Sequence, residues 1–137
     1  MAFFKRKDIG RIYVFKMVLP DKTIVHKIGI VNSDRSVDRM LEVLRSWFTK
    51  YRFVPYTELR LDQECQDPQK LERHMHQILE PNRFLPNHKV DGGTELFVDL
   101  NELRVLHYIR AYTKSMYVDP PAMDRKGREI ICQLLTH

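Results

Sequence analysis

The segment from Arg11 to Ile30 constrains the fold of this chain more than any other. Residues 11–19 read RIYVFKMVL and residues 23–30 read TIVHKIGI, both rich in β-branched and aromatic side chains. Between them lies Pro20-Asp21-Lys22, with proline in its favoured early turn position. Two such runs joined by so short a turn predict an antiparallel β-hairpin.

Beyond the hairpin, the chain alternates between helix and strand signals. Asn32 to Ser36 is a polar connection whose last residue is placed to cap a helix. Val37, Met40, Leu41, Leu44, Trp47 and Phe48 then recur at helical spacing, which predicts a first helix over about 37–49. Tyr56, Leu59 and Leu61 alternate loosely and suggest a third strand over 54–61 returning to the hairpin. Asp67-Pro68 combines a capping residue with proline at the first helical position. The helix it opens has Leu71, Met75, Ile78 and Leu79 on its inner face and ends at Pro81-Asn82.

A polar loop over 83–93 leads to the short extended run Glu95–Val98. Asp99 or Asn101 can cap a third helix that runs to Tyr112 with Leu103, Leu106 and Ile109 inward. After an interruption at Asp119-Pro120-Pro121, the segment 125–135 clusters Ile130, Ile131, Leu134 and Leu135 as either a packed last helix or a contact surface. These elements describe an α+β fold: a small central antiparallel sheet, made of the N-terminal hairpin plus a third strand, flanked by helices. At 137 residues the chain is sized for one compact unit. We divide it into a domain over 1–112 and a C-terminal extension over 113–137 that packs on the domain or serves in contacts.

Charge narrows the partners. The net charge is +5, with basic residues in Lys5-Arg6-Lys7, at Arg11 and Lys16, and from Lys50 to Arg52. A basic balance favours polyanions because neutralising phosphates releases counterions, although a solvated basic surface gives the same count. Cys65 and Cys132 are far apart and outside any CxxC pattern, which predicts neither a disulfide framework nor a zinc site. No apolar stretch approaches a membrane span, and no long apolar run follows the first charges. A cytoplasmic protein, in a host cell's cytoplasm if phage-encoded, is the expectation.

Four features occur in a definite order: Ile12-Tyr13 on the first strand, Lys27-Ile28-Gly29 on the second, Arg39 on the first helix and Glu72 on the second. In this order the chain resembles the GIY-YIG nuclease superfamily, with the first motif written Arg11-Ile12-Tyr13 after Gly10 and the second written Lys27-Ile28-Gly29. It is similar in particular to a phage and mobile-element branch whose second motif is K-I-G. That branch carries an E-x-x-x-H helix, here Glu72 to His76, and a G-x-T-E-[WF] motif. The counterpart here is Gly92-Gly93-Thr94-Glu95-Leu96-Phe97, with Leu96 inserted before the aromatic. The resemblance covers about 10–112.

The resemblance implies a metal-dependent DNA endonuclease that hydrolyses phosphodiesters, a chemistry that needs an activated water and counter-charge for the phosphoryl oxygens. It implies Tyr13 as general base, with Lys27 lowering the phenol's reference pKa of about 10. Arg39 would hold the scissile phosphate, with Arg35 as a rival for that role. Glu72 would hold one Mg²⁺ or Mn²⁺. His76, on the same side of its helix, would orient the carboxylate, touch phosphate or move a proton, or else flank the core. Arg11, Lys16 and Arg35 are candidate contacts to nucleic acid. Glu95 reads either as a second acidic participant or as a hydrogen-bonding partner of the Gly92-Gly93 loop, the structural role being favoured. His26 and His74 receive no role, and His74 reads as solvated.

Taken singly, Tyr13 is a packing residue, Lys27 a surface lysine and Glu72 part of a polar helix face. Only their ordered combination favours catalysis. Two other readings stay open: a catalytically inactive nucleic-acid-binding or regulatory module on the same fold, and a protein-interaction domain. With only about 25 residues after Tyr112, specificity is expected to be weak, dimer-derived or supplied by a protein partner.

Overall fold

The computed structural model describes residues 9–31, 35–86, 95–113 and 120–137. The hairpin is present as β1 (Ile9–Val18) and β2 (Ile24–Val31). At its turn Lys22 donates its backbone N–H to the Leu19 carbonyl at 2.8 Å and adopts φ 69°, while Asp21 accepts from the Thr23 N–H at 2.9 Å. This left-handed residue after the turn lets a three-residue loop match the twist of the two strands.

After α1 (Ser36–Tyr51), β3 (Tyr56–Gln66) pairs antiparallel with β1, and β4 (Leu96–Val98) pairs antiparallel with β2, giving the order β3-β1-β2-β4. The fold is therefore α+β, with a fourth strand added to the three expected. β3 runs five residues beyond the expected end because Asp62, Gln63 and Glu64 hide its strand character behind polar side chains. A bulge opposite Val14 and Phe15 leaves Arg60 as the extra residue of β3. Arg60 uses that freedom to reach Glu102 on the first turn of α3 (Glu102–Thr113) through two hydrogen bonds of 3.0 and 2.9 Å.

Alternation along the strands builds two cores. Ile12, Val14 and Ile28 face α2 (Pro68–Ile78), α3 and α4 (Arg125–Thr136), where they meet Leu71, Met75, Ile109 and Leu135. Tyr13, Phe15, Met17 and Val25 face the other way, onto Val43 and Trp47 of α1. The inner face of α1 is thus Ser36, Val43 and Trp47, and not the whole expected apolar set: Leu41 is 55% exposed, and Val37 and Phe48 are also exposed. Likewise Leu103 is 64% exposed while Val105 takes its place inside α3. In both helices the sequence offers more apolar positions than one packed face can hold.

Helix starts also differ from expectation. Ser36 does not cap α1; its hydroxyl donates to Asp62 at 2.8 Å, and Arg35 is the capping residue without a side-chain bond. Asp67 begins α2 in a left-handed conformation with no side-chain cap, whereas Asn101 accepts from the Arg104 N–H at 3.2 Å and caps α3. α4 opens with Asp124 accepting from the Gly127 N–H at 2.8 Å.

α4 is tied to the domain by Leu135, fully buried, and by the Asn101 N–H donating to the Leu135 carbonyl at 2.8 Å. Leu135→Ala should therefore lower the unfolding free energy by about 2–5 kcal/mol through lost burial and the cavity left behind. Urea denaturation checks this. An unchanged midpoint would mean that α4 docks without contributing to the core.

Candidate active site

The β1–β2 register sets Tyr13 directly opposite Gly29, with Phe15 opposite Lys27. Gly29 has no side chain, so the Tyr13 ring lies across the gap: a Cβ built on Gly29 would sit 2.3 Å from the Tyr13 hydroxyl and 2.8 Å from a Glu95 carboxylate oxygen. Any other residue here would push the phenol aside. Phe15 stacks on Tyr13 with ring centroids 4.3 Å apart and holds the ring from behind.

Lys27 lies on the same face as Gly29 and is fully buried. Its ammonium donates to the Tyr13 hydroxyl at 2.8 Å and forms a close ion pair with Glu95. A buried ammonium needs such a counter-charge, since desolvation would otherwise neutralise it. Arg39, on the inner edge of α1, also hydrogen-bonds the Tyr13 side chain and pairs with Glu42 at 3.1 Å.

The expected electrostatics of Tyr13 are reversed in the free protein. Lys27 and Arg39 do pull the phenol's pKa down, but burial outweighs them and the Glu95 charge adds to the rise, so the pKa is raised above its ordinary value. Tyr13 is a neutral phenol at neutral pH in this arrangement.

Glu72 approaches from the other side of the sheet. β4 pairs only with residues 25–27 of β2, so α2 can reach round the uncovered end of that strand. There His76 donates its Nε2–H to the Ile28 carbonyl at 2.9 Å, its ring 5.4 Å from that of Phe97. His76 thus spends its one ring proton on β2, and among the described residues the buried Oε2 of Glu72 has no hydrogen-bond partner. Burial, and then the Glu95 charge, push the Glu72 carboxyl up to about 7, although Lys27 and Arg73 oppose the shift.

Among the described residues no group of three His, Cys, Asp or Glu side chains could enclose a metal. One orphaned, destabilised carboxylate is nonetheless a fit donor for a hard divalent cation that keeps most of its water, since Mg²⁺ needs few protein ligands.

The structure thus brings Tyr13, Lys27 and Arg39 together beside Gly29, while Glu72 and His76 on α2 lie near enough to feel the charges of Lys27 and Glu95. Arg35 is exposed and pairs with Asp38 and Glu42, leaving Arg39 as the arginine at the phenol. Arg11 is on the Tyr13 face, bound through its Nε to Asp62 at 2.7 Å. Lys16 is not part of the site: it is opposite His26 in the register and lines a cleft on the other sheet face, near Glu102. His74 is not solvated but half-buried, sharing a 2.7 Å hydrogen bond with the Tyr108 hydroxyl and stacking on that ring.

The main residue that sequence reasoning missed is Glu95 as counter-ion. The alternation of TIVHKIGI puts Lys27 on the inward face with Val25, and an inward lysine calls for an acid. Arg83, stacked over Phe97 at 5.6 Å, is signalled by nothing in the sequence. The Gly92-Gly93-Thr94 part of the motif and the Lys5-Arg6-Lys7 run lie outside the described residues.

A family model described as the T5orf172 domain matches residues 10–112. No curated protein and no solved structure matches the chain.

The raised Glu72 carboxyl has a stability signature. Its charged form is the disfavoured one in the fold, so the penalty is absent below the ordinary value of 4.5 and sets in as pH rises through about 7. Without metal, Glu72→Gln should melt higher than the parent at about pH 8 and match it near about pH 4.5. Thermal melts across that range check it, and a gain independent of pH would refute the shift.

Proposed function

The chain belongs to the T5orf172 domain family, found in phage and mobile-element proteins and often associated with endonucleases, and we propose on that footing that it is a metal-dependent DNA endonuclease of the GIY-YIG type. The observation that carries the proposal is the cluster of Tyr13, Lys27 and Arg39 beside Gly29, with the half-buried Glu72 carboxylate within electrostatic reach of Lys27. One oxygen of that carboxylate is buried with no hydrogen-bond partner among the described residues, which a bound cation would satisfy.

On this reading Glu72 would hold one Mg²⁺ or Mn²⁺, which when bound supplies positive charge to the phosphoryl oxygens. Arg39 offers its forked donors to the scissile phosphate. Lys27 stabilises the phenolate that forms when the Tyr13 proton passes to solvent, and that phenolate then takes a proton from the attacking water. Because Tyr13 is fully buried in the free protein, the step requires Glu95 to leave Lys27. Losing that carboxylate removes a charge that raises the phenol's pKa, and it opens a path to the hydroxyl. His76, committed to the Ile28 carbonyl, serves to fix α2, and hence Glu72, against β2. DNA is the proposed substrate, with specificity drawn from a protein partner or a second copy of the chain. No helix among the described residues is long and apolar enough to cross a membrane.

A second reading has its own observation. A fully buried, neutral Tyr13 locked by Lys27 and Glu95 also suits a module that binds nucleic acid and cuts nothing. Cleavage of supercoiled plasmid separates the two. The expected outcome is conversion to nicked or linear DNA by the wild type with Mg²⁺, blocked by EDTA and by Glu72→Ala, and slowed on the order of 10²-fold or more by Tyr13→Phe. Equal DNA binding by all three proteins, with no cleavage under any divalent metal, would sink the nuclease reading and leave the binding module.

A further inference from the structure

Beyond the residues matched by the family model, α4 does more than close the core. Arg125, Arg128, Glu129 and Cys132 fall on one helical face, at i, i+3, i+4 and i+7. That face and α2 form the two walls of an open cleft of about 850 Å³. Glu72, Arg73 and His76 line the α2 wall, and Arg83 also lines the cleft. Glu72 therefore faces the same cleft as the two α4 arginines.

Arg73, Arg83, Arg125 and Arg128 outnumber Glu72, Glu80 and Glu129 in its lining, a small excess of positive charge. Among the described residues Arg125 pairs with Glu129, at 3.1 Å between two exposed side chains, an interaction that solvent largely screens. Arg128 is aimed by its 2.8 Å hydrogen bond to the Met123 carbonyl, which fixes the side chain without neutralising it. The platform is rigid: Leu135 is buried, and Arg104 donates to the Leu134 carbonyl at 3.2 Å. Two guanidiniums on a docked helix that shares a cleft with the half-buried Glu72 carboxylate have the chemistry to hold backbone phosphates.

We propose that α4 is a substrate-binding element, with Arg125 and Arg128 holding backbone phosphates of the DNA strand that leaves the site at Glu72. The assignment rests on the nuclease reading and extends it to a part of the chain outside the family match.

The test is equilibrium binding of a duplex oligonucleotide at several salt concentrations, in a Glu72→Gln background that cannot cleave. Arg125→Gln/Arg128→Gln should bind about tenfold more weakly at low salt and reduce the slope of log affinity against log salt by about 1.8, the value for two lost phosphate contacts. Arg125→Lys/Arg128→Lys should keep the parent slope. The charge-matched control Lys22→Gln/Lys50→Gln, at the hairpin-turn end of the molecule, should change the slope far less. All of these residues are exposed or half-exposed, and circular dichroism confirms that each variant is folded.

If the parent binds and the Arg125/Arg128 variant keeps its slope and affinity, or the control loses as much, the α4 track is wrong while the nuclease reading survives. If the parent binds no nucleic acid at any salt, both fall together.

Discussion

The Lys27 ammonium, buried without solvent contact between the Tyr13 hydroxyl and the Glu95 carboxylate, is the interaction on which the site depends. It costs desolvation energy that a hydrophobic residue would not. Three features must coincide to keep it. Gly29 leaves the gap that the phenol fills, the β1–β2 register sets Tyr13 opposite that gap, and the residue just before β4 brings the acid. Moving the register by one residue would turn Lys27 into the α2 core and His26 toward α1, so the register of the hairpin and the integrity of the site are a single requirement.

The two sheet faces divide the labour. The face under α2, α3 and α4 is a conventional apolar core with Met75, Ile28 and Leu135 at its centre. The face under α1 is smaller and aromatic, and it gives way at one end to the polar cluster. Glu72 belongs to the first layer by its helix and to the second by its electrostatics. It is the short reach of β4 that lets one residue take part in both.

Much of this is legible in the sequence where local chemistry and tertiary packing agree. The hairpin, the Asp67-Pro68 start of α2 and the apolar set Leu71, Met75 and Ile78 follow from period and turn signals alone. Legibility fails where a choice depends on a distant partner. Ser36 can accept from a backbone N–H as a helix cap or donate to a side chain, and it donates to Asp62, on the polar stretch of β3 that carries no strand signal. α1 has apolar residues on more than one face, and only the position of the sheet decides which turn inward. In the site, Tyr13, Lys27, Arg39 and Glu72 are found by their order along the chain, whereas the roles of Glu95 and His76 require knowing where β4 ends. Lys16 is misplaced by counting charge without regard to which sheet face it occupies.

The bond from His76 to the Ile28 carbonyl fixes the tautomer of the imidazole. Burial, the largest influence on this ring, lowers its pKa and keeps it neutral at neutral pH, so it carries a single ring proton, and a carbonyl oxygen can only accept. That proton therefore resides on Nε2, in the bond to β2. What remains for the cleft is Nδ1, a lone pair with no proton to offer. In this state His76 can receive a hydrogen bond from a water or a hydroxyl near Glu72. It can give a proton back only after first taking one up, so its chemistry at this site has a direction built in by the end of a strand.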